Sequence, residues 1–178
     1  MADTIWLFGY GSLIWRPDIP HRRAEPAHLP GYERRFWQGS HDHRGLPHAP
    51  GRVVTLVPGR GCDGLAFEID FAVWQTELSK LDHREKNGYE RHTVPIRFRT
   101  GGQTDGVVYF AHAGNFAFLG DAPLEDIAQQ ISDSAGPSGH NADYLFELAA
   151  ALRRLDAHDP HVFELERLVR NRNRKRET

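Results

Sequence analysis

The sequence holds one cysteine, Cys62, among 178 residues. A lone thiol excludes an intramolecular disulfide framework and a cysteine-built metal centre, and it fits a chain kept in a reducing compartment. Long apolar runs are missing as well. Nothing approaches the roughly 18 residues of a membrane-crossing helix, and Met1–Thr4 leads into Ile5–Phe8 without the basic segment and apolar core of a secretory signal. The expected setting is therefore cytoplasmic, with no membrane partner. Basic charge is not in excess either. A net charge of −2 gives no field that would gather nucleic acid or an anionic bilayer. With 39% hydrophobic and 26% charged residues, the chain has the composition of an ordinary globular domain, and it is long enough to bury a core.

Missing motifs narrow the chemistry further. Gly9-Tyr10-Gly11 is not followed by the Gly-Lys-Ser/Thr of a phosphate loop, and Ile14 stands where a dinucleotide fingerprint needs its third glycine. Ser12 and Ser138 both lie outside a Gly-x-Ser-x-Gly elbow. His41, His43 and His48, and likewise His158 and His161, cluster along the chain. They lack supporting cysteines and form no His-Glu-x-x-His helix, so polar packing is their expected use and no metal is assigned.

The elements that are present can be placed coarsely. Ile5–Phe8 reads as a buried strand feeding a loop at Gly9. Proline-rich residues 16–50 read as loop, with a strand at Arg34–Trp37. Arg52–Val57 reads as a central strand that pairs with Leu65–Ile69 across a turn at Pro58–Asp63. The i, i+4, i+7 spacing of Trp74, Leu78 and Leu81 predicts a helix, stopped by Asn87-Gly88. Strands are expected at Thr93–Arg99 and Val107–Ala111, joined by a turn at Thr100–Asp105. Three helices follow. The first opens near Pro123 with Ile127 and Ile131 inward. A long one runs from Ala142 to Leu155, capped by Ser138 or Asn141, with Leu145, Leu148, Leu152 and Leu155 inward. The last buries Val162, Leu165 and Leu168. This order predicts an α+β fold with a mostly antiparallel or barrel-like sheet. It predicts a single domain over residues 1–170 and a solvated basic tail over 171–178.

Two features could carry chemistry. Gly9 and Gly11 straddle Tyr10 at a strand end, where successive backbone amides can approach a carboxylate or an oxyanion; a tight turn would explain the same glycines. Glu85 lies four residues after Leu81 and, if the helix continues, shares its apolar face. Burial and the helix C-terminus would both raise its pKa toward the range useful for proton transfer. A half-exposed glutamate paired with Arg91 or Arg97 would be the ordinary alternative. Arg84 and Lys86 are expected on other faces, and Asp82 in solvent.

Taken together, Phe8-Gly9-Tyr10-Gly11-Ser12-Leu13-Ile14-Trp15, Arg34–Ser40, His43-Arg44-Gly45, Pro50–Leu56, Arg84–Tyr89 and Gly136–Asn141 running into Tyr144-Leu145 resemble the ChaC family of glutathione-specific γ-glutamylcyclotransferases. The segments occur in family order over roughly residues 5 to 170. Asn87, Phe118 and Asp121 depart from residues common in that family. The resemblance implies a compact mixed β-barrel with flanking helices. It also implies cofactor-independent conversion of glutathione to 5-oxoproline and cysteinylglycine, by attack of the substrate's own amine. It places the catalytic role on Glu85 and substrate contacts on Phe8, Gly9, Tyr10, Gly11, Ser12, Leu13, Arg52, Tyr89 and Tyr144. A cyclotransferase for other γ-glutamyl amines or amino acids, or a catalytically silent binding module of the same fold, would carry the same motifs.

Overall fold

The structure, a computed structural model, describes residues 3–85 and 88–176. Five strands close into a barrel in the order β1-β3-β2-β4-β5: β1 (Thr4–Gly9), β2 (Arg23–Ser40), β3 (Gly51–Asp70), β4 (Glu90–Phe98) and β5 (Gln103–Phe110). The helices are α1 (Phe71–Arg84), α2 (Leu124–Asp133), α3 (Asn141–Arg154) and α4 (Pro160–Arg176). A two-stranded ribbon, β6 (Ala135–Gly136) and β7 (Gly139–His140), lies between α2 and α3 in the chain. The α+β barrel class expected from element order is the one observed. Among the described residues, no helix is long and apolar enough to cross a membrane.

The strands are longer than their composition suggests. β2 runs for 18 residues through Pro26 and Pro30, in a stretch that reads as loop. Proline's fixed φ suits extended backbone, and each one removes only a single donor. β3 runs for 20 residues without a break, so the expected hairpin turn at Pro58–Asp63 does not exist. The glycines there serve clearance. A Cβ at Gly59 would lie 2.2 Å from the Glu33 side chain, and one at Gly61 would lie 2.2 Å from the His28 ring.

The backbone forms two compact units, Met1–Glu33 with Leu56–His112 and Arg34–Thr55 with Ala113–Thr178. In the first, β1 pairs antiparallel with β3 from Thr4↔Asp70 to Gly9↔Leu65, and parallel with β5 at Leu7↔Val107. β4 and β5 form a long antiparallel pair from Glu90↔Phe110 to Arg97↔Gln103. Leu7, Leu13, Ile19, Phe67, Ile69, Trp74, Leu81 and Tyr109 pack together as its core. Helix α1 stops at Arg84, earlier than Asn87-Gly88 would stop it. Gly88 has φ +85°, and Asn87 lies outside the described residues.

In the second unit α2, α3 and α4 pack on one another through Ile127, Ile131, Leu145, Leu148, Leu152, Val162, Leu165 and Val169. Val169, not Leu168, continues the buried stripe of α4. That helix extends to Arg176, through residues expected to be a frayed tail. Arg172 donates to Gln129, and Arg176 pairs with Asp133. Neither Ser138 nor Asn141 caps α3. Asn141 is fully buried, accepting the Arg52 N–H at 2.7 Å and donating to the Arg52 carbonyl at 2.8 Å. Ser138 instead lies 3.3 Å from His43 Nδ1.

His161 Nε2 accepts the Phe36 N–H at 3.0 Å. Burial, with Arg35 and Arg34 nearby, brings its pKa down to about 4 against the attraction of Asp159 and Asp121. A base with a depressed native pKa contributes stability above its unfolded value that is lost as the pH falls, because only the unfolded chain takes up the proton. Between pH 7.5 and 5 the native protein is expected to lose about 2 kcal/mol through this group. Urea unfolding at both pH values should show that loss in the parent and a flatter dependence in His161→Gln; equal slopes would remove His161 as the cause.

Candidate active site

The first unit places α1 so that its end returns to the loop after β1. Thr4 sits opposite Asp70, and α1 begins at Phe71, whose N–H donates to the Asp3 carbonyl. The helix therefore starts beside the beginning of β1. Six strand residues advance about 17 Å, and the 14 residues of α1 rise about 21 Å. With Leu7, Trp74 and Leu81 in one cluster, the helix lies along the strand, and its last turn comes level with residues 10–13.

The loop is held firmly. Phe8 is fully buried, and Tyr10 and Leu13 are nearly so. The Tyr10 hydroxyl donates to the Tyr109 carbonyl at 2.8 Å. A Cβ on Gly9 would come within 2.9 Å of the Leu13 Cβ and 3.3 Å of the Phe67 ring, so the bare glycine allows the chain to fold back. Beyond Gly11 a single 3-10 turn, Ser12–Ile14, is closed by the Ile14 N–H donating to the Gly11 carbonyl.

Arg84 joins this loop to the end of α1. Its guanidinium donates to Ser12 Oγ at 3.1 Å and to the Arg16 carbonyl at 3.0 Å. It also reaches the Pro17 carbonyl and the Asp18 carboxylate. Its Nε lies 3.7 Å from Glu85 Oε1. This corrects the expectation that Arg84 points to another face. Helical phasing ends at Arg84, and Glu85 is the C-cap with φ −94° and ψ 14°, so the two side chains are no longer separated by a helical step. The arginine stands in the motif beside Glu85, but its use was not legible there.

The Glu85 side chain is only 16% exposed, and its N–H donates to the Leu81 carbonyl at 2.9 Å. Desolvation raises its pKa above the ordinary carboxylate range, and Arg84 partly opposes that. Among the described residues the salt-bridge partner of Glu85 is Arg84, and Arg91 lies 3.4 Å from Asp82 instead. Asp82 is half exposed but engaged, since the Tyr109 hydroxyl donates to it at 2.6 Å. Burial and this bond push the Tyr109 hydroxyl pKa up. Tyr109 touches both the loop and α1, and nothing in its apolar strand segment marked it out. Tyr89 packs against the same apolar cluster.

Two expected contact residues belong to the second unit. Arg52 is almost fully buried; its guanidinium donates to Gln130 Oε1 at 2.6 Å, the Phe36 carbonyl at 3.0 Å and the Gly120 carbonyl at 2.9 Å. Tyr144 is 8% exposed, set edge-on to Phe36 with the Arg44 guanidinium 6.0 Å over its ring.

The family model described as ChaC-like protein matches residues 5–172. The chain belongs to the ChaC-like family. A Schizosaccharomyces pombe glutathione-specific γ-glutamylcyclotransferase is 40% identical over 97% of this chain and 95% of its own. A Danio rerio glutathione-specific γ-glutamylcyclotransferase 1 is 41% identical over 92% of this chain and 88% of its own. The crystal structure of a yeast γ-glutamyl cyclotransferase specific to glutathione superposes with a TM-score of 0.90 at 29% identity, covering 94% of this chain and 96% of that one. In this ChaC-like chain Glu85, Arg84 and Ser12 form one connected group.

A carboxyl with a native pKa above its unfolded value holds its proton more tightly when folded. Its contribution is favourable in acid and is lost as the pH rises through the native value. Glu85→Gln cannot ionise, so it should raise the melting temperature relative to the parent at pH 8 and change it little at pH 4. Equal shifts at both pH values in thermal unfolding would rule out ionisation of Glu85 as the cause.

Proposed function

We propose that the chain cleaves glutathione into 5-oxoproline and cysteinylglycine, with Glu85 carrying the proton. The observation behind this reading is a desolvated carboxylate of raised pKa, tied through Arg84 to Ser12 of the glycine loop. The names of relatives aligned over nearly the whole chain support the same substrate.

The reaction is an internal displacement. Glu85 takes a proton from the substrate's α-ammonium, and the freed amine attacks the γ-carbonyl to close a five-membered ring. The tetrahedral oxyanion then collapses: Glu85 returns its proton to the leaving nitrogen, the C–N bond to cysteinylglycine breaks, and the second proton shed by the ring nitrogen passes by way of Glu85 to the freed amine, which departs as an ammonium. No water or second reactant is consumed. A raised pKa makes Glu85 a stronger base than an exposed carboxylate, and Arg84 limits the rise so that the anion remains accessible. Amides of the Gly9–Leu13 loop are assigned to the substrate carboxylate or to the oxyanion. Holding the amine near the carbonyl supplies a further part of the effect. In this reading Tyr10, Leu13 and Tyr89 flank the bound γ-glutamyl group, and the fully buried Phe8 acts only through packing. A cytosolic setting, where glutathione is reduced, goes with the single cysteine.

Glu85→Gln is expected to stay folded and to lose about two to four orders of magnitude in kcat. Near-parental turnover would end its assigned role. Gly11→Val should close the amide cradle and raise KM steeply; unchanged kinetic constants would leave the loop as a turn. Release of 5-oxoproline from glutathione, glutathione disulfide and γ-glutamyl-alanine decides the leaving group. Turnover of glutathione alone is expected, turnover of all three would assign a general γ-glutamyl enzyme, and none would leave a binding module.

A further inference from the structure

The reaction above uses none of the side chains where β4 begins and β5 ends. There the antiparallel register sets Glu90 opposite Phe110 and His92 opposite Val108, and His112 follows two residues beyond the end of β5. His92 Nε2 lies 3.2 Å from His112 Nε2. Glu90 Oε2 lies 3.8 Å from the first of these nitrogens and 3.9 Å from the second.

Two ring nitrogens this close face each other in one of two ways. One carries the proton and donates to the other, or both present lone pairs to a shared cation. The carboxylate beside them favours positive charge at the centre. A tetrahedral ion with bonds of 2.0–2.2 Å sets neighbouring donor atoms about 3.3–3.6 Å apart, and the three observed separations bracket that value. The ring planes are supported from below. Phe110 stacks on His92 at 4.2 Å and meets His112 edge-on at 4.8 Å, and Tyr32 packs behind Phe110 at 5.2 Å. An apolar shell of this kind controls solvent access and dielectric around a metal.

We propose that Glu90, His92 and His112 bind a divalent transition-metal cation of the zinc type, with the remaining coordination position open to solvent. Two imidazoles and a single carboxylate suit zinc far better than magnesium or calcium, which require mostly oxygen donors. The Glu90 and His112 side chains are 68% and 55% exposed, so the ion has direct access. Once bound, it clips the start of β4 to the exit of β5. Sequence inspection misses the group because strand pairing, not chain proximity, brings His112 to His92. Of the histidines that do cluster along the chain, His161 is engaged with the Phe36 amide and His43 lies beside Ser138.

Equilibrium dialysis of the full chain against zinc chloride, without glutathione, tests the site independently of the cyclotransferase reading. The parent is expected to retain one more zinc per chain than either Glu90→Gln or His112→Asn, and zinc should raise the melting temperature of the parent alone. Both substituted side chains are mostly exposed, so lost binding would not report misfolding, and circular dichroism verifies this. Equal zinc retention by parent and variants, or none by the parent, would overturn the site.

Discussion

The antiparallel register of β1 on β3 governs the first unit. With Thr4 opposite Asp70, the chain leaves β3 beside the start of β1 and can only turn into α1 there. The helix then runs along the strand because its apolar stripe has to be covered. Trp74 and Leu81 meet Leu7, Leu13 and Phe67, and each large side chain buried in this way contributes about 1.5–3 kcal/mol. A slip of one residue would reverse the facing of every β1 side chain and take Leu7 out of that cluster. The meeting of loop and helix end therefore follows from ordinary core packing, and the polar contacts only complete it.

Periodic features were legible in the sequence and continuous strands were not. Trp74, Leu78 and Leu81 mark α1 because helical spacing is local, and Ile127 with Ile131 marks α2 for the same reason. Pro26, Pro30, Pro58, Gly59 and Gly61 read as breakers, yet all lie inside β2 or β3. A barrel strand can lose a donor or a side chain where its neighbours need the room, and the identity of those neighbours is not local information. The site divides along the same line. Glu85 stood out by its phase after Leu81, whereas Tyr109 and the reach of Arg84 to Ser12 depend on folding across about 70 to 100 residues.

Glu85 occupies a position that packing alone would not choose. A carboxylate at a helix C-terminus, mostly withdrawn from water, is opposed by both desolvation and the helix dipole. Arg84 relieves part of that cost, but it is shared with Ser12, Asp18 and two carbonyls and cannot close fully on the acid. The result is a group held between full ion pairing, which would make it a weak base, and full burial, which would keep it protonated.

Arg84 and Glu85 are consecutive, and this bears on which changes in chain length the family fold can absorb. Their mutual distance is set by one peptide unit at the helix end, so motion of α1 as a body carries both together. A residue inserted between them would put the cation and the acid on different sides of the chain, however well the barrel still formed. The Arg99–Gly102 turn between β4 and β5 is tied to β2 by the Arg99 N–H donating to the Pro26 carbonyl and by Thr100 beside Glu25, but its glycines at positions 101 and 102 face open space. A residue added between those two glycines would leave Arg84 and Glu85 side by side, whereas one added at the end of α1 would part them.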